Sequence, residues 1–318
     1  MLALTHLFHV LGAFPAPFYR TLQPAAPGEL PLQGNDVTIL QQLLRRVPGE
    51  CTLACGCGCS HRYDEPTWAS LNCYMGRSDG VFDEAAGSRI LTEHASDHYV
   101  PDDTPANATG HLYKLLVPVH RNRSIETMAR LLDARNVELH TFRVRAHGHD
   151  VDSAGLPVPE QPWPHFSTGI GLNQFSTDGN TPTGLSEIDL NSPESSAKLY
   201  GPYPVQRFVR GLSGNAQFLL SPPTGCERER GVASSYAAPA APIRSGILVH
   251  TGQWSNHSSW QPGEPMPNSA GCVHAYPKTI EQIWKLLVGL GVQVRPNTNG
   301  RQPYPYKPQG LVAVYEVR

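Results

Sequence analysis

The chain has 318 residues, 40% hydrophobic and 16% charged, with a formal net charge of −2. It contains no basic run on which a nucleic acid could be held and no apolar stretch of the length a bilayer requires. Its length suffices for one large domain or two ordinary ones, and 29 Gly with 30 Pro favour short strands joined by turns over long helices.

Residues 1–27 open with "MLALTHLFHVLGAFPAPF", an apolar run that ends in small residues near Ala16. It lacks a basic start and is interrupted by His6 and His9, so it reads either as a weak signal peptide or as the first helix of a domain. Residues 28–97 hold a small α-helical domain. In "LQGNDVTILQQLLRR", Val37, Leu40, Leu43 and Leu44 recur at helical spacing, with Asn35 or Asp36 as the N-cap. Asp79-Gly80 then marks a turn before a second helix.

Between these helices an insert at about 48–75 carries Cys51, Cys55, Cys57, Cys59 and Cys73; Cys226 and Cys272 stand apart. The insert lacks the paired C-x2-C spacing of structural zinc sites. With Cys272 free, the other six can pair completely, which favours disulfides and an oxidising compartment over a metal knuckle and leaves connectivity open. Sequons at Asn107, Asn122 and Asn256 are compatible with secretion.

A polar linker follows at 98–110, and residues 111–318 form the second domain. "HLYKLLVPVH" and "VELHTFRVRAHG" read as strands, and "SIETMARLLDAR" between them as a helix capped by Ser124. Turn-rich segments come next. Pro277 then begins a helix whose apolar face is Ile280, Ile283, Trp284, Leu287 and Leu290, and "LVAVYEV" closes the chain as a strand.

Cys272 has four readings: packing, half a disulfide, a metal ligand or a nucleophile. A neighbouring imidazole would make it a nucleophile. His250 ends the apolar run "GILV", which suits the end of a buried strand with its ring aimed at a cleft. Gly271 permits close backbone approach, and the N–H groups around Gly271 and Cys272 could face a developing oxyanion.

"HTGQWSNHSSWQPGEPMPNSAGCVH" resembles the active-site signature of the L,D-transpeptidase (YkuD-type) catalytic domain family: a His, a loop, then Ser/Thr-x-Gly-Cys. Upstream, Thr181-Pro182-Thr183-Gly184 matches a family turn, and Tyr200 opens the Tyr-Gly-Pro segment such domains often carry. The first domain is similar to the peptidoglycan-binding helical repeat at Gly34, Val37, Leu40, Gln41, Asp79, Gly80 and Phe82, although the cysteine insert is unusual there.

The resemblance implies a mainly β catalytic domain, a mixed β-sandwich with flanking helices, that needs no metal or cofactor. It assigns Cys272 as the acylated nucleophile and His250 as its base. Thr251 is the residue whose carbonyl orients the histidine, and Ser269 and Gly271 shape the oxyanion turn. His274 replaces the usual Arg or Asn and, with Trp254, Trp260 and Tyr200, is a candidate for binding substrate. Ala270 stands where many members have a second histidine. His147, His149 and Asp150 form a weak metal candidate, more often a solvated pair, and Cys226 lies in a charged loop as a disulfide half.

The implied partner is peptidoglycan, acted on outside the cytoplasm, and oligomeric state stays open. The implied reaction is acyl transfer between stem peptides. The alternatives are a secreted L,D-carboxypeptidase that trims those peptides and a catalytically silent wall-binding protein.

Overall fold

The computed structural model describes residues 14–54, 61–152, 158, 165–166, 169, 171–221, 242–252, 254, 264–301 and 303–318. Chain contacts divide at Ala95 and Ser96 into a helical unit and a β-rich unit.

The helical unit has three helices: α1 (Asn35–Leu44), α2 (Glu65–Met75) and α3 (Glu84–His94). The apolar spacing read in α1 buries Val37, Leu40, Leu43 and Leu44. Neither expected N-cap serves: the cap is Gly34, and Asp36 is buried in an ion pair with Arg20 at 2.7 Å. The second helix lies inside the cysteine insert, which the sequence reading left without secondary structure. Asp64 caps it by accepting the Thr67 N–H, and Gly76 ends it in the left-handed conformation. A disulfide joins Cys51 to Cys73. Asp83 caps α3 through the Ala86 N–H. Phe18 and Leu22, from the segment set apart as N-terminal, are buried in this unit, and Leu22 bridges Phe82. Cys55, Cys57, Cys59 and Cys226 lie outside the described residues.

The β-rich unit is built on β1 (Tyr113–His120), β2 (Thr127–Asp133), β3 (Glu138–Val144), β4 (Gly184–Asn191), β5 (Val205–Gly211), β6 (Leu248–His250), β7 (Val273–His274) and β8 (Gly310–Val317). Between strands stand α4 (Ala197–Tyr200), α5 (Gly214–Leu220) and α6 (Pro277–Gly289). One mixed sheet runs β3-β2-β1-β8-β4-β5-β6-β7, with β1/β8 and β6/β7 parallel. The ends of this order meet. Just past β3, Arg145 exchanges both main-chain hydrogen bonds with His274 of β7, at 3.0 and 2.7 Å. The mainly β fold with flanking helices is thus present as one sheet closed on itself.

"SIETMARLLDAR" is the strand β2 rather than the expected helix. Ala129 and Leu131 face inward while Met128 and Arg130 face out, a period of two that the helix-forming residues masked. Pairing with β1 on one side and β3 on the other overrides local helix propensity. Ser124 instead bonds Asn122 in the preceding turn.

The core combines inward strand residues such as Leu115, Val117, Phe142, Ile188, Val249, Val273 and Val312 with Ile280, Ile283 and Leu287 of α6. Each such side chain contributes about 1.5–3 kcal/mol on burial. Leu290, expected on that apolar face, is the C-cap of α6 and is 37% exposed. No described helix is long and apolar enough to cross a membrane.

Candidate active site

The parallel register of β6 and β7 assembles the site. Val249 pairs with Val273, and His250 with His274. Side chains alternate along strands, so Leu248 and His250 share a face with Cys272 and His274. Cys272, one residue before β7, therefore packs on Leu248 with Val205 and Tyr200. The His250 and His274 rings meet edge to face, with centroids 4.8 Å apart and planes at 88°.

His250 is buried, and its Nδ1 lies 3.2 Å from the Thr251 carbonyl. Donation of the Nδ1 proton to that oxygen leaves Nε2 as the acceptor nitrogen of the neutral ring. Tyr200 sets its ring edge to face against His250 at 5.1 Å. Gly201, at φ 79°, lets α4 approach, since a Cβ there would lie 2.6 Å from the Thr251 carbonyl oxygen.

Cys272 is the one free cysteine among the described residues. Its thiol faces the Gly246 carbonyl at 3.8 Å, and no hydrogen bond joins it to His250. Burial pushes the thiol up to about 11, against the opposing effects of the Leu248 main chain, Arg244 and Arg207. Burial also pushes His250 down to about 4. The resting pair is therefore a neutral thiol beside a neutral imidazole, not an ion pair.

The turn before Cys272 is tightly tied. Ser269 Oγ lies 2.7 Å from the His147 carbonyl and 2.8 Å from the Cys272 carbonyl, and it accepts the Gly271 N–H at 3.1 Å. The Gly271 N–H, expected to face an oxyanion, is thus taken up inside the turn. Among the described residues the Cys272 N–H makes no hydrogen bond. Thr181 Oγ1 donates to the Gly271 carbonyl at 2.8 Å, which is how the upstream Thr-Pro-Thr-Gly segment reaches the site. Gly271 has φ 105°, and a Cβ there would lie 2.2 Å from Arg244 Nη2 and 2.7 Å from the Gly179 carbonyl oxygen.

The remaining candidates separate clearly. His274 is buried, with Nδ1 2.9 Å from the Pro267 carbonyl, and burial and His250 hold it well below the usual histidine range. Trp254 is fully buried against Met266, Phe166 and Tyr276. Trp260 lies outside the described residues. His147 is buried, not solvated, with Nε2 3.1 Å from the Gly169 carbonyl. His165 and Asn268 hold Asp150 at 2.7 and 3.1 Å. No described group of three or more His, Cys, Asp or Glu is arranged to hold a metal ion.

The sequence reading missed Arg244. Only 2% exposed, it donates to the carbonyls of Gln174 (2.7 Å), Gly179 (2.9 Å), Asn180 (3.2 Å) and Ala270 (3.2 Å). A lone arginine in "APIRSG" gives no periodic or motif signal; only its place just before the apolar run to His250 hints at it.

No curated protein and no solved structure gives a significant match to the chain. The segment from 157 to 298, which contains His250, Thr251, the Ser269–Cys272 turn and His274, matches the family described as YkuD, L,D-transpeptidase catalytic domain. Strands β1–β3 and β8 lie outside that match and complete the sheet. Residues 157–298 carry the YkuD L,D-transpeptidase catalytic domain.

Proposed function

We propose that the chain catalyses acyl transfer on peptidoglycan stem peptides, with Cys272 as nucleophile and His250 as its base. The observation that carries this reading is the β6/β7 register, which puts both side chains on one face while Thr251 fixes the histidine tautomer. The match of residues 157–298 to a transpeptidase catalytic domain supports this choice of substrate class.

The sulfur attacks the carbonyl between the L-centre of a diamino acid and the terminal D-alanine, as the S–H proton passes to His250 Nε2. Because the resting pair is neutral, proton transfer accompanies attack and does not precede it. The thiol must first swing from Gly246 towards the imidazole. The Cys272 N–H faces the oxyanion, and the Gly271 N–H shapes the turn through Ser269. Collapse breaks the C–N bond, His250 protonates the departing amine, and a thioester remains on Cys272. An amine of a second stem peptide then takes the acyl group to give a cross-link; water taking it gives the trimmed peptide.

Thr251 positions His250, Ser269 and Gly271 hold the turn, and Tyr200 walls the cleft beside the imidazole. His274, beneath His250, supports that ring, and Trp254 packs on Met266. The chemistry uses side chains and main chain alone. The Cys51–Cys73 disulfide and a peptidoglycan substrate both suit a place outside the cytoplasm, with residues 28–97 as a wall-binding module and 111–318 as the catalytic unit.

The test is intact-protein mass spectrometry after mixing with disaccharide-tetrapeptide, alongside Cys272→Ala, with product analysis. A Cys272-dependent adduct with tetrapeptide dimers establishes the transpeptidase, and tripeptide alone establishes the carboxypeptidase. Absence of adduct and turnover from folded protein with reduced Cys272 overturns the enzymatic reading and leaves the silent wall-binding protein.

A further inference from the structure

We infer that Arg244 is the fixed countercharge of the Cys272 thiolate and the positioning residue of the Gly271 turn, a role that rests on Cys272 being the nucleophile. A buried guanidinium is costly unless its charge is answered. Arg244 is 2% exposed and makes no ion pair among the described residues; its Nη1 and Nη2 groups make four hydrogen bonds, to the main-chain carbonyls of Gln174, Gly179, Asn180 and Ala270. Those carbonyls come from the segment before β4 and from the turn before Cys272, so one side chain sutures both. The bare Cα of Gly271 is what admits it, since a Cβ would stand 2.2 Å from Nη2.

Burial pulls the guanidinium down to about 10, opposed by Cys272 in its ionised form and then by Asp178. Burial keeps His250 neutral until it takes the proton, so Arg244 is the cation already in place when the S–H bond begins to break. The other groups facing the thiol are Tyr200, Glu194 and Arg207, and the last is already paired with Glu194 and bonded to Asn297. Arg244 is thus a buried cation with no ion-pair partner among the described residues until sulfur becomes negative. Its charge attracts the developing thiolate as the S–H proton leaves for His250, and its carbonyl bonds keep it from swinging away.

The test is the pH dependence of Cys272 alkylation by iodoacetamide in the full-length protein, read on the Cys272 peptide by mass spectrometry. Arg244→Gln is expected to displace the rate–pH curve upward by about one unit, making alkylation about tenfold slower near pH 8. Arg244→Lys is expected to restore most of that rate. Structural loosening alone would expose the thiol and speed alkylation, the opposite sign. Thr181→Val, which frees the Gly271 carbonyl without touching charge, is expected to leave the curve in place while slowing turnover.

A folded Arg244→Gln that alkylates as the wild type does overturns the inference. So does an equal displacement in Thr181→Val. If Arg244→Gln does not fold, the wild type decides: a buried cation is hardly screened, so its alkylation rate is expected to stay within about twofold from about 0.05 M to about 1 M salt. A several-fold fall over that range overturns the assignment. The alkylation readouts, which alone decide the inference, use no peptidoglycan, so failure of the proposed substrate and failure of the Arg244 role are distinguishable.

Discussion

Ser269 Oγ accepts the Gly271 N–H at 3.1 Å and lies 2.8 Å from the Cys272 carbonyl, so one hydroxyl closes the turn on which the thiol is mounted. The turn is preformed, and its first amide is spent on holding its own shape. This makes the backbone at residue 271 the most restrictive position of the site.

Gly271→Ala is accordingly expected to lose both stability and activity. The substitution meets a left-handed backbone at φ 105° and a Cβ position 2.2 Å from Arg244 Nη2. A loss of about 2–4 kcal/mol in urea unfolding is expected from strain and the displaced guanidinium. Unfolding midpoints that match the wild type would show that the turn relaxes at no cost.

The proposed pair of Cys272 and His250 makes a second prediction. His250→Gln is expected to lower turnover of tetrapeptide by about 10²–10⁴-fold, the usual reach of a positioned general base. Cys272→Ser is expected to abolish the covalent adduct. Steady-state rates with mass spectrometry check both. Adduct formation by His250→Gln at the wild-type rate would remove the histidine from the mechanism.

The burial of His250 also predicts how stability responds to acid. The folded ring titrates at about 4, while the unfolded chain takes up the proton near the ordinary value of ~6.5. Between those values the unfolded state binds more protons, so stability is fully present above about 6.5 and falls as pH drops towards 4. The full effect is about 3 kcal/mol. His274, lowered for the same reason, adds in the same direction. Urea titrations at about pH 7.5 and about pH 5 should differ by roughly half of that or more, and the dependence should flatten in His250→Gln.

Removing the Cys51–Cys73 link in a double alanine variant is expected to destabilise the helical unit by about 3 kcal/mol, as closure of a loop of its 22-residue separation suggests. Turnover of a soluble tetrapeptide should be unchanged. Thermal unfolding and steady-state rates on the same preparation check the two halves.

What the sequence made legible follows the range of each interaction. Helix α1 and strand β1 declare themselves through local periodicity. The same reading misjudged β2, because "TMARLLD" satisfies helical propensity and strand alternation alike, and only its neighbours β1 and β3 decide. His250 and Cys272 were legible as a motif, but their sharing a face depends on a parallel register between residues 24 positions apart. Arg244 acts through main-chain carbonyls, which carry no residue identity, and so it had no signature to read. His274 reads in the motif as a candidate for binding substrate; its burial against the His250 ring is a product of sheet closure.

That closure constrains how a peptide can be received. Enzymes that grip extended peptides often do so by adding the substrate as one more strand along an open sheet edge. Here the N–H and carbonyl of His274, which such a strand would need, are already committed to Arg145 at 2.7 and 3.0 Å. The seam beside the thiol is sealed, as edges must be where self-association is to be avoided. On the proposed function, recognition of a donor peptide would therefore fall to side chains and turns around Cys272, which can read stereochemistry at individual centres. Backbone pairing along a strand repeats itself, whereas the proposed substrate, with a D-residue following an L-centre, would interrupt the regular ladder such pairing requires.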